Sequence, residues 1–193
     1  MRPLWQRALL RTSYGKKWWH WQAQLFLTPQ QGLMSPGELK ALHDLVLSHT
    51  SEGLIIEIGT LFGTSALIIA LAKKAGQKLI CVDNFTWNQF QLRHDEHAEI
   101  TRRIIKRLGE TVELVEKSDS EFFLSYCGGP PAIAFFDAMH DYASTSAFIR
   151  WAKSVGTEII CGHDYNPSDF PGVIQAVDEA GGPRHLVETF WVL

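Results

Sequence analysis

The residues best suited to chemistry fall in two short segments, Asp137-Ala138-Met139-His140 and His163-Asp164. Aspartate offers oxygen donors and imidazole offers nitrogen. Asp137, His163 and Asp164 therefore suit one divalent cation if their segments converge. His140 lies one turn beyond Asp137, and an imidazole with an ordinary pKa of about 6.5 suits removal of a proton from an acceptor hydroxyl. Each residue also has a plainer reading. His163 and Asp164 would satisfy turn backbone, and His140 would stack on or hydrogen-bond to a bound cofactor.

A second set lies upstream in Glu57-Ile58-Gly59-Thr60-Leu61-Phe62-Gly63-Thr64-Ser65. Gly59 and Gly63 let a backbone turn sharply and approach a ligand closely. The helix expected to follow presents free N–H groups and a positive dipole end, to which Ser65 adds a hydroxyl. That combination suits a carboxylate or a phosphate. GxGxxG is absent, as is a Walker lysine, so neither a dinucleotide fingerprint nor a phosphate-binding loop is present. Asp83, at the end of the next apolar run, can accept two hydrogen bonds from ribose hydroxyls, or it can cap its own turn. With the glycine turn it points to a ribose-bearing cofactor. Asp119 and Ser120 could edge an adenine pocket, while Ser118 and Glu121 spell a capping box; both readings can hold at once.

These residues need a scaffold, and the apolar pattern supplies one. Ser35-Pro36-Gly37-Glu38 opens a helix, with Ser35 as N-cap, Pro36 first and Glu38 three after the cap; Leu39, Leu42, Leu45 and Val46 form its apolar face. From residue 54 the chain alternates short apolar runs with helical stretches. Strands are expected at 54–58, 78–82, 111–115, 132–136 and 157–161, with helices at 64–74, 95–108, 118–126, 142–153 and 171–180. Residues 185–193 read as a last strand or a bent hairpin arm. Runs without polar alternation, separated by helices, predict an α/β fold: a doubly wound, mostly parallel Rossmann-like sheet with helices on both faces and an antiparallel C-terminal strand. In such a sheet the ligand lies at the carboxyl ends of the strands, where every residue above is found. Phe85, Trp87, Phe90, Tyr142 and Tyr165 lie in or beside the same loops; they could wall an apolar acceptor or belong to the core.

Composition bounds the function classes. With 193 residues and a formal net charge of -3, a single domain is expected, and bulk charge gives no support to a nucleic-acid partner. No apolar run reaches the roughly 20 residues of a membrane span. Arg7 and Arg11 interrupt what would be the core of a signal peptide. Cys81 and Cys161 lie in apolar runs and read as reduced core residues, which favours a cytoplasmic location. Residues 1–35 are set apart as a basic, tryptophan-rich segment, with Trp5, Trp18, Trp19 and Trp21 among early arginines and lysines. Such an arm could pack on the domain, touch an anionic substrate or a membrane surface, or pair two subunits into a homodimer. Residues 36–193 are expected to form the domain that holds the ribose-bearing cofactor.

Taken in order, EIGTLFGTSA at 57–66, CVDNF at 81–85, KSDS at 117–120, FFDAMHDY at 135–142, GHDYN at 162–166 and FPGVIQAVDEA at 170–180 resemble the class I S-adenosylmethionine-dependent methyltransferases. Within the class the chain looks most like the small family of macrocin O-methyltransferase and the cephalosporin hydroxylase-like proteins. The resemblance implies S-adenosylmethionine as cofactor and a small-molecule hydroxyl as methyl acceptor. It assigns Glu57, Gly59, Thr60, Gly63, Ser65, Asp83, Asp119, Ser120 and Asp137 to the cofactor. It matches Asp137, His163 and Asp164 to positions that hold magnesium (Mg2+) in metal-dependent members, and it makes His140 and Asp137 the catalytic residues, with His140 as the base. His163 departs from the family, which more often has a carboxylate there, and the closing antiparallel strand pair looks short. Other readings remain: a non-catalytic cofactor-binding protein, a metal-dependent enzyme of another reaction type on the same fold, or a nicotinamide enzyme, against which the missing GxGxxG speaks.

Overall fold

In the computed structural model, residues 34–88 and 90–193 are described. The basic segment 1–35 thus lies outside the described residues apart from Met34 and Ser35. Helix α1 (Pro36–Ser48) begins at a reciprocal cap: the Glu38 amide donates to Ser35 Oγ, and the Ser35 amide donates to the Glu38 carboxylate. Its buried face is Glu38, Leu39, Leu42 and Val46.

The sheet is laid down as β1 (Ile55–Ile58), β2 (Leu79–Asp83), β3 (Val112–Glu116), β4 (Ile133–Phe136), β5 (Ile159–Gly162), β6 (His185–Val187) and β7 (Phe190–Val192). Between strands run α2 (Thr64–Ala72), α3 (His94–Arg107), α4 (Asp119–Ser125), α5 (Tyr142–Ser154) and α6 (Pro171–Glu179). The spatial order is β3-β2-β1-β4-β5-β7-β6. The first five strands are parallel, and β7 runs antiparallel to both β5 and β6. β1 and β4 are buried at every position, as expected of strands covered by helices on both faces. Strand order reverses between β1 and β4, so the crevice for a ligand opens at their carboxyl ends.

The expected elements are all present, with ends shifted by a residue or two. The C-terminal segment is a hairpin. The chain bends at Glu188, whose φ is 54°, and returns as β7, burying Phe190, Trp191 and Val192. Trp191 Nε1 donates to the His163 carbonyl, which ties the hairpin to the end of β5. The described cysteines are free; burial pushes the thiols of Cys81 and Cys161 up, so both behave as inert core groups, while Cys127 is exposed. Among the described residues no helix is long and apolar enough to cross a membrane.

Candidate functional site

The turn from β1 to α2 is held in place from three sides. Gly59 has φ 91°, and a Cβ there would lie 2.0 Å from the Asp137 carbonyl oxygen. Its glycine is thus required by the close passage of the segment after β4. This differs from the expectation of a glycine kept for ligand approach: the nearest neighbour is the protein's own backbone. Leu61 is left-handed at φ 50°. Its amide donates to Asp83 Oδ2 at 2.7 Å, and its carbonyl accepts from His97 Nε2 at 3.0 Å and Thr101 Oγ1 at 2.6 Å. Gly63, at φ 85°, stands at the N-cap of α2 with no side-chain cap, so the first amides of that helix receive no side-chain acceptor. Ser65 and Thr60 are buried beside this turn.

Asp83 takes the amides of Thr60, Leu61 and Phe85. A carboxylate has about four acceptor positions, so about one remains for a ribose hydroxyl. Of the two readings of Asp83, the turn-holding one is directly visible. Burial raises its pKa, and the backbone bonds oppose that rise. Glu57 is fully buried: its Oε2 accepts from Thr60 Oγ1 at 2.7 Å, and its Oε1 has no hydrogen-bond partner. Burial pushes its carboxyl up to about 7. Asp119 and Ser120 begin α4 behind the Ser118–Glu121 capping box. Asp119 Oδ1 accepts from the Ser120 amide.

The segments after β4 and β5 bring Asp137, His140, His163 and Asp164 together. His163 Nδ1 is 3.5 Å from Asp137 Oδ1 and 3.3 Å from Asp164 Oδ1. His140 Nε2 is 3.0 Å from Asp164 Oδ2 and 3.7 Å from Asp137 Oδ1. Asp137, His163 and Asp164 each present a donor atom within 4.8 Å of the others. Burial by itself would lower His140, but the two carboxylates beside it outweigh that and raise it to about 9. His163 is raised for the same reason, and Asp137 and Asp164 are held down by the imidazoles against the opposing effect of burial. Asp164 itself is left-handed at φ 64°, a conformation that aspartate tolerates better than most residues.

Three residues beyond those expected from the sequence complete the constellation. Glu38 accepts from His163 Nε2 at 3.1 Å and from the Thr189 amide and hydroxyl at 2.8 and 2.6 Å. His97 and Thr101 clamp Leu61 as described. The signal that could have revealed Glu38 is its spacing: it stands four before Leu42 and so falls on the apolar face of α1. His97, Thr101 and Ile105 repeat at the same spacing on the buried face of α3.

The likeness to known proteins agrees with this geometry. Residues 56–165 match the sequence profile of a family described as a methyltransferase domain, more than half of the chain. The chain belongs to this family and is a class I S-adenosylmethionine-dependent methyltransferase. No curated protein sequence matches it significantly. Among solved structures, the O-methyltransferase of Bacillus cereus in complex with S-adenosylhomocysteine is 20% identical, with a TM-score of 0.67 over 97% of this chain and 92% of that one. TomG of Streptomyces achromogenes, an O-methyltransferase involved in tomaymycin synthesis, seen with S-adenosylmethionine, is 18% identical, with a TM-score of 0.63 over 98% and 92%. The S-adenosylhomocysteine-bound methyltransferase PaMTH1 of Podospora anserina is 17% identical, with a TM-score of 0.63 over 86% and 77%. At these identities the likeness is one of fold.

Proposed function

We propose that the chain transfers the methyl group of S-adenosylmethionine to a hydroxyl oxygen of a small molecule, with help from a divalent cation. The observation that carries this reading is the convergence of Asp137, His140, His163 and Asp164 beside the turn after β1, where Gly59 touches the Asp137 backbone. The O-methyltransferases of Bacillus cereus and Streptomyces achromogenes share the fold and support oxygen as the acceptor atom.

The cofactor supplies an electrophilic methyl group, so the protein has no need of a covalent intermediate. Its own residues bind and orient. The turn at Gly59–Ser65 and the unpaired oxygen of Glu57 suit the amino-acid end, with its carboxylate and its ammonium. Asp83 receives one ribose hydroxyl, and Asp119 with Ser120 borders the base. Holding an acceptor oxygen in line with the methyl group supplies much of the rate. The donor set Asp137, His163 and Asp164 fits a cation, because a buried His163 Nδ1 faces both carboxylates and their donor atoms lie within 4.8 Å of one another; a cation would take the place of the proton that pairs Nδ1 with them. A cation there would lower the pKa of a bound hydroxyl; magnesium is one candidate. His140 accepts a proton only when neutral. Its neighbours keep it protonated up to about pH 9, so its use as the base belongs to alkaline pH or to a site where added positive charge offsets those carboxylates.

Trp87, Phe90 and Met139 are exposed on the segments after β2 and β4 and offer an apolar rim for an aromatic acceptor, whereas Phe85 is core. The division at residues 35/36, a homodimer through the tryptophan-rich segment, a cytoplasmic location and the lack of a nucleic-acid partner belong to the same reading; the net charge of -3 supports the last. The test is incubation with methyl-labelled S-adenosylmethionine and a panel of catechols, phenols and sugars. A methyl ether found by mass spectrometry supports the proposal. Label found only on nitrogen or carbon acceptors contradicts it.

A further inference from the structure

The helix that opens the described chain reaches into the site through one buried carboxylate. Glu38 is 3% exposed and His163 is 7% exposed, and they stand 125 residues apart in sequence. Glu38 Oε2 accepts a hydrogen bond from His163 Nε2–H at 3.1 Å. Its Oε1 is fixed by the amide and hydroxyl of Thr189, in the β6–β7 turn. Thr189 Oγ1 also lies 3.0 Å from His163 Nε2. This side of the imidazole is therefore fully engaged by acceptors. Its other nitrogen, Nδ1, is buried, meets strict hydrogen-bond geometry with neither neighbour, and makes ion-pair contacts with Asp137 Oδ1 and Asp164 Oδ1 at 3.5 and 3.3 Å, so a cation there would take the place of the proton that pairs Nδ1 with them.

We infer that Glu38 is a positioning residue for a metal centre at Asp137, His163 and Asp164: it fixes the Nε2–H tautomer of His163, leaves Nδ1 as a ligand, and makes the site one for a nitrogen-accepting divalent ion such as Mn2+ or Zn2+ ahead of Mg2+. A carboxylate that holds the far nitrogen of a ligating histidine sets its ring orientation and raises its basicity. One imidazole with two carboxylates suits transition ions, whereas Mg2+ favours an all-oxygen set. The inference rests on the cation part of the proposed function. It also couples α1 and the C-terminal hairpin to the reaction centre, because Glu38 and Thr189 come from those two elements.

The experiment is calorimetric titration of Mn2+, Zn2+ and Mg2+ into the chelator-treated full-length protein, with S-adenosylmethionine binding measured separately on each sample. Wild type is expected to bind Mn2+ or Zn2+ at least about 10-fold more tightly than Mg2+. Glu38→Ala is expected to weaken that binding about 10–100-fold, with S-adenosylmethionine affinity retained. Ser35→Ala removes the helix cap but leaves the Glu38–His163 pair, so it controls for loss of helix stability and should keep metal affinity. Glu38→Gln retains an acceptor for Nε2–H and should fall between the two. Long-range proton–nitrogen NMR should show His163 as the Nε2–H tautomer in the metal-bound wild type and a mixture in Glu38→Ala. Unchanged metal affinity and tautomer in Glu38→Ala, tighter Mg2+ than Mn2+ or Zn2+, or S-adenosylmethionine binding with no metal binding at all would each overturn the inference. Loss of S-adenosylmethionine binding in the wild type would instead strike the methyltransferase reading itself.

Discussion

Replacing Glu57 by Gln should make the protein more stable above pH 7 and remove a pH dependence that the wild type carries. Glu57 is fully buried with one unpaired oxygen, and burial raises its carboxyl from 4.5 to about 7. Between those two values the folded state holds a proton that the unfolded state has released. Folding stability from this group is therefore highest below pH 4.5 and declines as pH rises through the window. A tenfold change in proton affinity is worth about 1.4 kcal/mol, so holding this carboxyl ionised in the folded protein costs about 3 kcal/mol. Glutamine preserves an acceptor for the Thr60 hydroxyl and has no charge to lose. Urea unfolding of both proteins at about pH 5 and about pH 8, on either side of the folded value, gives the double difference, which cancels the titration of every other group. The variant should gain about 2–3 kcal/mol relative to wild type between those pH values. A double difference near zero would refute the argument that a charged Glu57 is unsolvated in the folded protein.

Gly59→Ala combines a left-handed backbone with a Cβ placed 2.0 Å from the Asp137 carbonyl, and should cost about 3 kcal/mol or more, read as a fall in the urea midpoint. Asp83→Ala removes the acceptor of three backbone amides as well as the ribose partner. It should weaken S-adenosylmethionine binding by on the order of 1–3 kcal/mol in calorimetry and lower thermal stability as well. His140 should titrate near 9 by NMR in the chelator-treated protein, and its pKa should fall toward an ordinary value in Asp164→Asn. A His140 that titrates at 6.5 in the wild type would contradict the ion-pair geometry.

The order of elements was legible because the apolar runs are short and bounded by glycine, proline and capping residues. Ser35 and Ser118 cap the helices their spacing announced. The hairpin at the C-terminus was only half legible, because its bend falls at Glu188-Thr189, without the glycine or proline that usually marks one. The residues at strand ends were legible as a group, since a parallel sheet delivers every such loop to one edge. Their individual bonds were less so. Gly59 is a glycine because Asp137 passes over it, a contact between segments far apart in sequence. Phe85, by its place in a strand-end loop, suits a ligand wall as well as a core; it is core, packed edge-on to His97. Glu38 is visible in the sequence as the partner in a capping box, and its place four before Leu42 on the apolar face of α1 marks it as a buried carboxylate without saying what it meets. Its second role depends on β5 and the β6–β7 turn meeting α1, which no local pattern encodes.

The most direct measurement is calorimetric titration of S-adenosylmethionine into the chelator-treated protein, with NAD titrated in parallel. The account predicts saturable binding of S-adenosylmethionine and none of NAD, because the turn after β1 lacks the dinucleotide fingerprint while Asp83 and Glu57 stand at its edge. Absence of S-adenosylmethionine binding, with or without added metal, would mean that these strand-end residues serve only the fold, and would contradict the central claim.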